Sequence, residues 1–280
     1  MAARARTELA HQGVRRRGRG TGTPVSTPTR CPVVLLHALA LDASMWGAQR
    51  RTLQDRGHLV IAPHQRGFGG TALGTDAPGL DLVADDLART LDAHHVERAV
   101  LVGASMGGYT ALAFLRRHPG RALGLALVSA RATADEEAAH AERERFAAAV
   151  TDLERGPALV AATVPRLVGA TTWRTRHAVA ARVAAWAGSA DPVALSWAQR
   201  AVAARADSLD VLRATRVPAV VITGEEDTLT SADDGRGAAC ALPDGRWAQL
   251  PRSGHLPSLE TPDAFQSELD ELLERVEAAC

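Results

Sequence analysis

The sequence predicts an α/β fold in which a doubly wound, mostly parallel sheet carries a helical insertion. Three observations lead to this prediction. Apolar runs of strand length alternate with amphipathic segments through the first half of the chain and again near its end. A Gly-x-Ser-x-Gly sequence, residues 103–107, joins an apolar run to a helical one. Residues 131–208 are rich in helix formers and contain no run of β-branched residues.

The elements ahead of the motif follow this alternation. The first strand is predicted from Pro32 to His37, and a helix then opens with Asp42 or Ser44 as its cap. A second strand, His58 to Ala62, runs into a glycine-rich loop. Residues 80–93 place apolar side chains at helical spacing, which predicts an amphipathic helix.

The motif itself predicts a sharp turn that presents a nucleophile. Residues 99–102 have the apolar character of a buried strand and residues 107–117 that of a helix, so the turn between them is short. A serine in such a turn has a strained backbone, and side chains two residues before or after it would clash. The hydroxyl of Ser105 would then stand above a helix N-terminus, whose free N–H groups stabilise a developing oxyanion.

After the motif helix, residues 122–129 predict another strand. Strand character returns only at Val217 to Thr223, after the helical stretch, and a weaker strand is predicted from Arg246 to Leu250. Residues 262–277 form an amphipathic pattern for a closing helix, and Pro262 suits its first turn.

These patterns divide the chain into three predicted parts. Residues 31–130 and 209–280 form the α/β core, and residues 131–208 form a helical cap inserted into it. Residues 1–30 are rich in arginine, glycine and threonine, and are expected to be a weakly ordered leader or an edge hairpin. The alternative for the leader is a basic nucleic-acid patch, which a formal net charge of zero for the chain disfavours.

Composition narrows the classes of partner and compartment. The chain has three cysteines, Cys31, Cys240 and Cys280, an odd number at wide spacing. Neither a disulfide framework nor a zinc site is therefore expected, and we expect a reducing, cytoplasmic location. No apolar run reaches the length of a membrane span. With a neutral net charge, we expect a small-molecule substrate rather than nucleic acid or a membrane as partner. The oligomeric state is left open.

The serine needs a base and an acid partner. Of ten histidines, His255 directly follows the last predicted strand, so in a parallel sheet it opens on the same edge as Ser105. Three carboxylates, Glu225, Glu226 and Asp227, stand just past the preceding strand. We predict Asp227 as the acid that orients His255, with a solvated acidic turn as the alternative interpretation of the group.

Taken together, the motifs resemble those of the α/β-hydrolase superfamily over about residues 30–277. The resemblance is carried by five stretches, Leu35-Leu36-His37-Ala38-Leu39, Arg66-Gly67-Phe68-Gly69-Gly70-Thr71, Gly103-Ala104-Ser105-Met106-Gly107-Gly108, Gly224-Glu225-Glu226-Asp227 and Gly254-His255. Within the superfamily, residues 39–46 are similar to small cap-bearing esterases and enol-lactone hydrolases. The resemblance implies an α/β-hydrolase fold that works without a metal or an organic cofactor.

It also implies two backbone donors for an oxyanion, the N–H groups of Met106 and Leu39. Two departures from the family pattern affect the surrounding loops. Ala38 follows His37 where glycine is usual, which leaves the placement of the Leu39 donor open, and His64 stands where aspartate is usual, which we expect to alter loop support. His37 is expected to be structural.

We therefore predict a serine hydrolase that cleaves a small carboxylic ester or lactone through an acyl-enzyme. The alternatives are a C–C bond hydrolase, an acyltransferase or a perhydrolase with the same triad, and a non-catalytic ligand-binding module. The cap would decide between substrates. The cap contains three tryptophans, Trp173, Trp186 and Trp197. Each is expected either to pack against the core or to line the substrate site.

Overall fold

The computed structural model describes residues 30–279. The predicted leader therefore lies outside the described residues, except for Arg30. No helix between residues 30 and 279 combines the length and the apolar character that a bilayer crossing requires.

Six strands form one sheet, and in chain order they are β1 (Val33–Leu36), β2 (Val60–Ile61), β3 (Ala99–Ala104), β4 (Ala122–Val128), β5 (Ala219–Gly224) and β6 (Gly245–Leu250). The spatial order is β2-β1-β3-β4-β5-β6, and every neighbouring pair is parallel, which confirms the predicted fold class. β2 is shorter than predicted because it is an edge strand that pairs only with Val33 and Val34. Pro63 beyond it has no N–H to extend the ladder.

The helices of the described chain are α1 (Gly47–Asp55), α2 (Leu80–Ala93), α3 (Met106–Arg117), α4 (Glu137–Ala149), α5 (Gly156–Leu167), α6 (Ala170–Thr175), α7 (His177–Ser189), α8 (Pro192–Ala203), α9 (Leu209–Ala214), α10 (Ala232–Ala241), α11 (Pro257–Glu260) and α12 (Pro262–Ala279). The connection from β1 to β2 runs toward one edge of the sheet, and the connections from β2 onward run toward the other edge. Right-handed connections therefore place α1 on one face and α2, α3 and α10 on the opposite face.

Helices α4 to α8 follow one another between β4 and β5, within residues 131–208, where the described chain contains no strand. α4 packs against α8, and α5 packs against α7. This is the segment predicted to be the cap. The division of the chain into a core and a cap stays a prediction, and residues 131–208 are called the cap.

The buried sheet fixes where the loops emerge. All residues of β3 and β5 are buried, and two fully buried rings, Trp46 and Phe265, pack with centroids 5.9 Å apart to anchor α12. Because all six strands run in the same direction, the loops that follow β1, β3, β5 and β6 leave from one edge. That edge carries every residue predicted to do chemistry.

Candidate active site

Ser105 occupies the bend between β3 and α3. Its φ of 51° and ψ of −115° lie in a region that residues with a Cβ seldom adopt, at a cost of about 1–3 kcal/mol. The Ser105 N–H donates to the Val128 carbonyl of β4 at 2.8 Å. Its carbonyl accepts from the N–H groups of Gly108 and Tyr109 at 2.8 and 3.1 Å, which begins the helix. Bonds on both sides thus hold the strained residue in place.

The glycines of the motif allow backbone segments to approach each other. A Cβ on Gly103 would lie 2.6 Å from the Gly108 nitrogen, and one on Gly107 would lie 2.8 Å from the Leu36 Cβ of β1. The clashes expected at these positions are therefore present. The sequence predicted a clash close to the serine. In the structure, the atoms that a Cβ would meet belong to the start of α3 and to the neighbouring strand.

His255 reaches Ser105 from the loop after β6. Its Nε2 lies 2.9 Å from Ser105 Oγ, and its Nδ1 lies 2.9 and 3.1 Å from the two carboxylate oxygens of Asp227. The imidazole is 4 % exposed. With Nδ1 protonated toward Asp227, Nε2 presents its lone pair to the serine hydroxyl, which is the arrangement for removing a proton from that hydroxyl.

Asp227 lies in the turn after β5, with its side chain fully buried. Its Oδ1 accepts hydrogen bonds from the N–H groups of Leu229 and Thr230 at 2.8 and 3.1 Å. Burial by itself would raise the pKa of this carboxyl, but the charge and hydrogen bond of His255 and the two N–H groups outweigh it and lower the pKa below its ordinary value. Asp227 is therefore ionised at neutral pH.

The other two carboxylates of the turn face elsewhere. Glu225 is exposed and accepts from the Arg252 N–H at 3.1 Å. Glu226 accepts from both the N–H, at 2.7 Å, and the hydroxyl of Thr171 at the start of α6. Of the three candidates, the structure brings only Asp227 to His255.

The two predicted oxyanion donors lie on adjacent loops at the same edge. The N–H groups of Met106 and Leu39 have no hydrogen-bond partner among the described residues. Met106 is the first residue of α3, where an N–H has no acceptor within the helix. Ala38 is fixed by a bond from its N–H to Met45 Sδ at 3.3 Å and has no positive φ, so an alanine fits the position without strain.

His37 supports the loop that carries Leu39. Its Nε2 accepts from the Gln65 N–H at 2.9 Å, and its Nδ1 lies 3.0 Å from the Ala38 carbonyl. Burial lowers the pKa of His37 to about 4. A proton on Nε2 would also face the Gln65 N–H, one donor against another. The residue is thus a neutral structural histidine.

This burial predicts a pH dependence of stability. Between about pH 6.5 and 4 the unfolded chain takes up a proton at His37 that the folded chain does not, so the free energy of unfolding falls as pH falls, by up to about 3 kcal/mol. Urea unfolding at pH 7, 6, 5 and 4.5 measures the slope. The His37→Gln variant is expected to start less stable but to lose less over this range, and an unchanged slope would argue against the assignment.

Sequence reasoning missed Glu260, the last residue of α11. This buried carboxylate accepts from the two N–H groups that flank the histidine, those of Gly254 and Leu256, both at 3.0 Å. Its other oxygen accepts from the Gly169 N–H and the Thr172 hydroxyl of the cap, both at 2.7 Å. One side chain therefore holds the histidine loop and the cap together. The signal in the sequence is that Glu260 is the single Asp, Glu, Lys or Arg between Arg252 and Asp263.

Glu260→Gln is expected to lower the free energy of unfolding by about 2 kcal/mol, because an amide N–H₂ would face N–H or O–H donors on one side. Displacement of the histidine loop should also reduce kcat, by roughly 10- to 100-fold. Urea unfolding and ester hydrolysis measure the two effects. Glu274→Gln, an exposed substitution on α12, is the matched control, and equal behaviour of the two variants would refute the role of Glu260.

A cavity of about 220 Å³ opens above Ser105 and His255, and its outer wall comes from the cap. None of the three cap tryptophans lines it. Trp197 is buried and donates from Nε1 to the Asp76 carbonyl at 2.9 Å, whereas Trp173 is 47 % exposed. Of the two alternatives expected for these tryptophans, packing holds for Trp197, and none of the three lines the cavity above Ser105.

One group of metal-ligating side chains is found among the described residues. Potential ligand atoms of Cys31, His58 and Glu277 lie within 4.8 Å of one another. Cys31 precedes β1 and therefore lies at the amino ends of the strands. The group takes no part in the site around Ser105.

The chain is similar to known proteins along most of its length. A family model described as alpha/beta hydrolase fold matches residues 32–262. A putative carbamate hydrolase RutD of Variovorax paradoxus is 30 % identical over 252 residues, covering 88 % of this chain and 92 % of its own. A pimeloyl-[acyl-carrier protein] methyl ester esterase of Aromatoleum aromaticum is 31 % identical over 244 residues, covering 84 % of this chain and 94 % of its own.

Two solved structures are similar along most of the chain. A thermophilic esterase from Thermogutta terrifontis superimposes with a TM-score of 0.84 at 34 % identity, covering 89 % of this chain and 92 % of its own. The enol-lactonase from Burkholderia xenovorans LB400 superimposes with a TM-score of 0.79 at 27 % identity, covering 92 % of this chain and 94 % of its own.

Proposed function

The chain belongs to the alpha/beta hydrolase fold family and is a hydrolase, and from this premise we propose that it is a serine hydrolase of small carboxylic esters or lactones. Ser105 is the nucleophile, His255 the general base and acid, and Asp227 the residue that orients His255. The N–H groups of Met106 and Leu39 bind the oxyanion.

In the first half of the reaction, Ser105 Oγ attacks the carbonyl carbon while its proton moves to His255 Nε2. The tetrahedral oxyanion is held by the Met106 and Leu39 N–H groups, which are already fixed by the backbone and need no reorganisation. The C–O bond to the leaving group then breaks, His255 gives its proton to the departing oxygen, and an acyl-enzyme on Ser105 remains.

In the second half, His255 takes a proton from water, and the hydroxide oxygen attacks the acyl carbon. The C–O bond to Ser105 breaks, the proton returns to Ser105 Oγ, and the carboxylic acid leaves. Asp227 stays ionised throughout and stabilises the imidazolium formed in each half.

One observation carries this proposal: a continuous chain of hydrogen bonds from Ser105 Oγ through His255 to a buried carboxylate, at the edge where a cavity opens. Several relatives that match along most of the chain are named as esterases or an enol-lactonase, which supports esters and lactones as the substrate class.

Labelling with a fluorophosphonate probe, followed by peptide mapping, tests the nucleophile. We expect the adduct on Ser105, and an unlabelled protein would favour the ligand-binding alternative. A parallel panel of nitrophenyl esters, lactones and β-diketones tests the reaction. Turnover of the β-diketones alone would overturn the ester and lactone proposal in favour of a C–C hydrolase.

The expectations about partners and compartment stay predictions. They are a small-molecule substrate, no nucleic-acid or membrane partner, and a cytoplasmic location, which rests on the cysteine content.

A further inference from the structure

Five arginine, aspartate and glutamate side chains line the cavity above Ser105. Three guanidinium groups, those of Arg131, Arg143 and Arg166, line it together with the carboxylates of Asp135 and Glu142. The proposed triad and oxyanion donors use none of these groups. Their arrangement therefore bears on what the cavity binds beyond the scissile carbonyl.

Arg143, on α4, is held rigidly at the wall. Its Nε donates to Asp135 Oδ2 at 2.7 Å, and its Nη1 donates to Gln199 Oε1 on α8 at 2.9 Å. Among the described residues, no hydrogen bond occupies Nη2 of Arg143. A guanidinium fixed by two bonds loses little further entropy when its remaining donor binds a ligand.

The charges behind this wall do not balance. The second oxygen of Asp135 lies 2.7 Å from Nη2 of Arg205, and the two side chains are only 1 % and 5 % exposed. The Arg205 guanidinium also covers the ring of Tyr109 at 4.3 Å. Asp135, Arg143 and Arg205 therefore form a cluster of two cations and one anion. Arg143 is its partly exposed member, at 27 %, so a further anion that binds there would balance the charge of the cluster.

Asp135 is itself ionised. Burial alone would raise its pKa, but the hydrogen bond of Arg205 and the charges of Arg143 and Arg205 together lower it below the ordinary value. The cluster thus has a surplus of one positive charge at neutral pH.

A second arginine at the wall is only loosely paired. Arg131, after β4, donates from Nη2 to the Leu229 carbonyl, and its buried Nε has no hydrogen-bond partner. The nearest carboxylate oxygen, on Asp234, is 4.0 Å away. Arg166, by contrast, is more than half exposed and lies 3.3 Å from Glu142, so these two charges largely neutralise each other.

We propose that Arg143, supported by Arg131, binds a carboxylate on the substrate in this cavity while Ser105 attacks the ester or lactone carbonyl. This inference rests on the proposed function and narrows it to monoesters or lactones of short dicarboxylic acids. The apolar side chains of Phe146, Val160 and Leu195 line the same cavity. A cavity of about 220 Å³ restricts the acyl chain to a short one.

The test compares two nitrophenyl esters with the same number of acyl carbons, the adipate monoester, which ends in a carboxylate, and the neutral hexanoate. The unmodified protein is expected to prefer the adipate monoester in kcat/KM. In Arg143→Gln the ratio of the two kcat/KM values should fall about 10- to 100-fold, the range for losing a charge-assisted hydrogen bond. Because the ratio is taken within one variant, partial unfolding cancels.

Two further variants sharpen the result. Arg143→Lys keeps the charge and is expected to retain more of the preference than Arg143→Gln. Arg145→Gln removes an exposed arginine from the same helix and should leave the ratio unchanged. A ratio that is equal in Arg143→Gln and unmodified protein, or no preference for adipate at all, overturns the inference. Failure to hydrolyse either ester, without labelling of Ser105, would instead refute the proposed function.

Discussion

Ser105→Ala is expected to lower kcat/KM for nitrophenyl esters by roughly 10⁴- to 10⁶-fold. Removing Oγ removes the atom that forms the acyl-enzyme, while His255 and the cavity stay in place. The remaining rate would come from substrate binding and the two oxyanion donors acting on water. Initial rates with the adipate and hexanoate esters measure the loss.

The fold should be unaffected by this substitution, because alanine has the same Cβ and the bonds of the bend are made by the backbone. Ser267→Ala, an exposed change on α12, serves as the matched control for the loss of a serine hydroxyl. If Ser105→Ala retained activity within about tenfold of the unmodified protein, Ser105 could not be the nucleophile.

Asp227→Asn is expected to lower kcat/KM by about 10⁴-fold with little change in shape. The structure gives the reason. Two backbone N–H groups, those of Leu229 and Thr230, bind Oδ1 and would keep an amide oxygen there. The amide N–H₂ would then face His255 Nδ1 and donate to it, which places the imidazole proton on Nε2 and removes the base from Ser105.

Glu225→Gln makes the same chemical change two residues away on an exposed side chain, and its activity should stay close to that of the unmodified protein. Steady-state rates of the two variants at pH 7 to 8 make the comparison. Comparable losses in both variants would mean that the acidic turn acts through its overall charge, and a fully active Asp227→Asn would exclude the proposed acid.

Much of the site could be located from sequence because its parts obey local rules. The Gly-x-Ser-x-Gly spacing places Ser105 at a bend, since glycines are needed where backbones approach within contact distance. Parallel strands open their carboxyl ends on one edge, which was enough to select His255 from ten histidines. These inferences depend on the backbone and on strand direction, and neighbouring residues largely determine both.

The choice among Glu225, Glu226 and Asp227, by contrast, follows from no local rule. All three stand in one turn, and the sequence of that turn does not show which side chain reaches the histidine. The contacts of Glu226 with Thr171 and of Glu260 with Gly169 join segments distant in the chain. Nothing in the local sequence of either glutamate indicates its partner.

By itself, then, the sequence determined the alternation of strands and helices, the strained serine and the edge of the sheet on which chemistry would take place, because propensity, glycine spacing and chain direction act over a few residues. Only the tertiary structure decided that Asp227 meets His255, that Glu260 joins the histidine loop to the cap, and that Arg143 lies over the cavity beside a buried Asp135. Those outcomes depend on which distant charges share a space from which water is excluded, and the packing of the whole chain sets that.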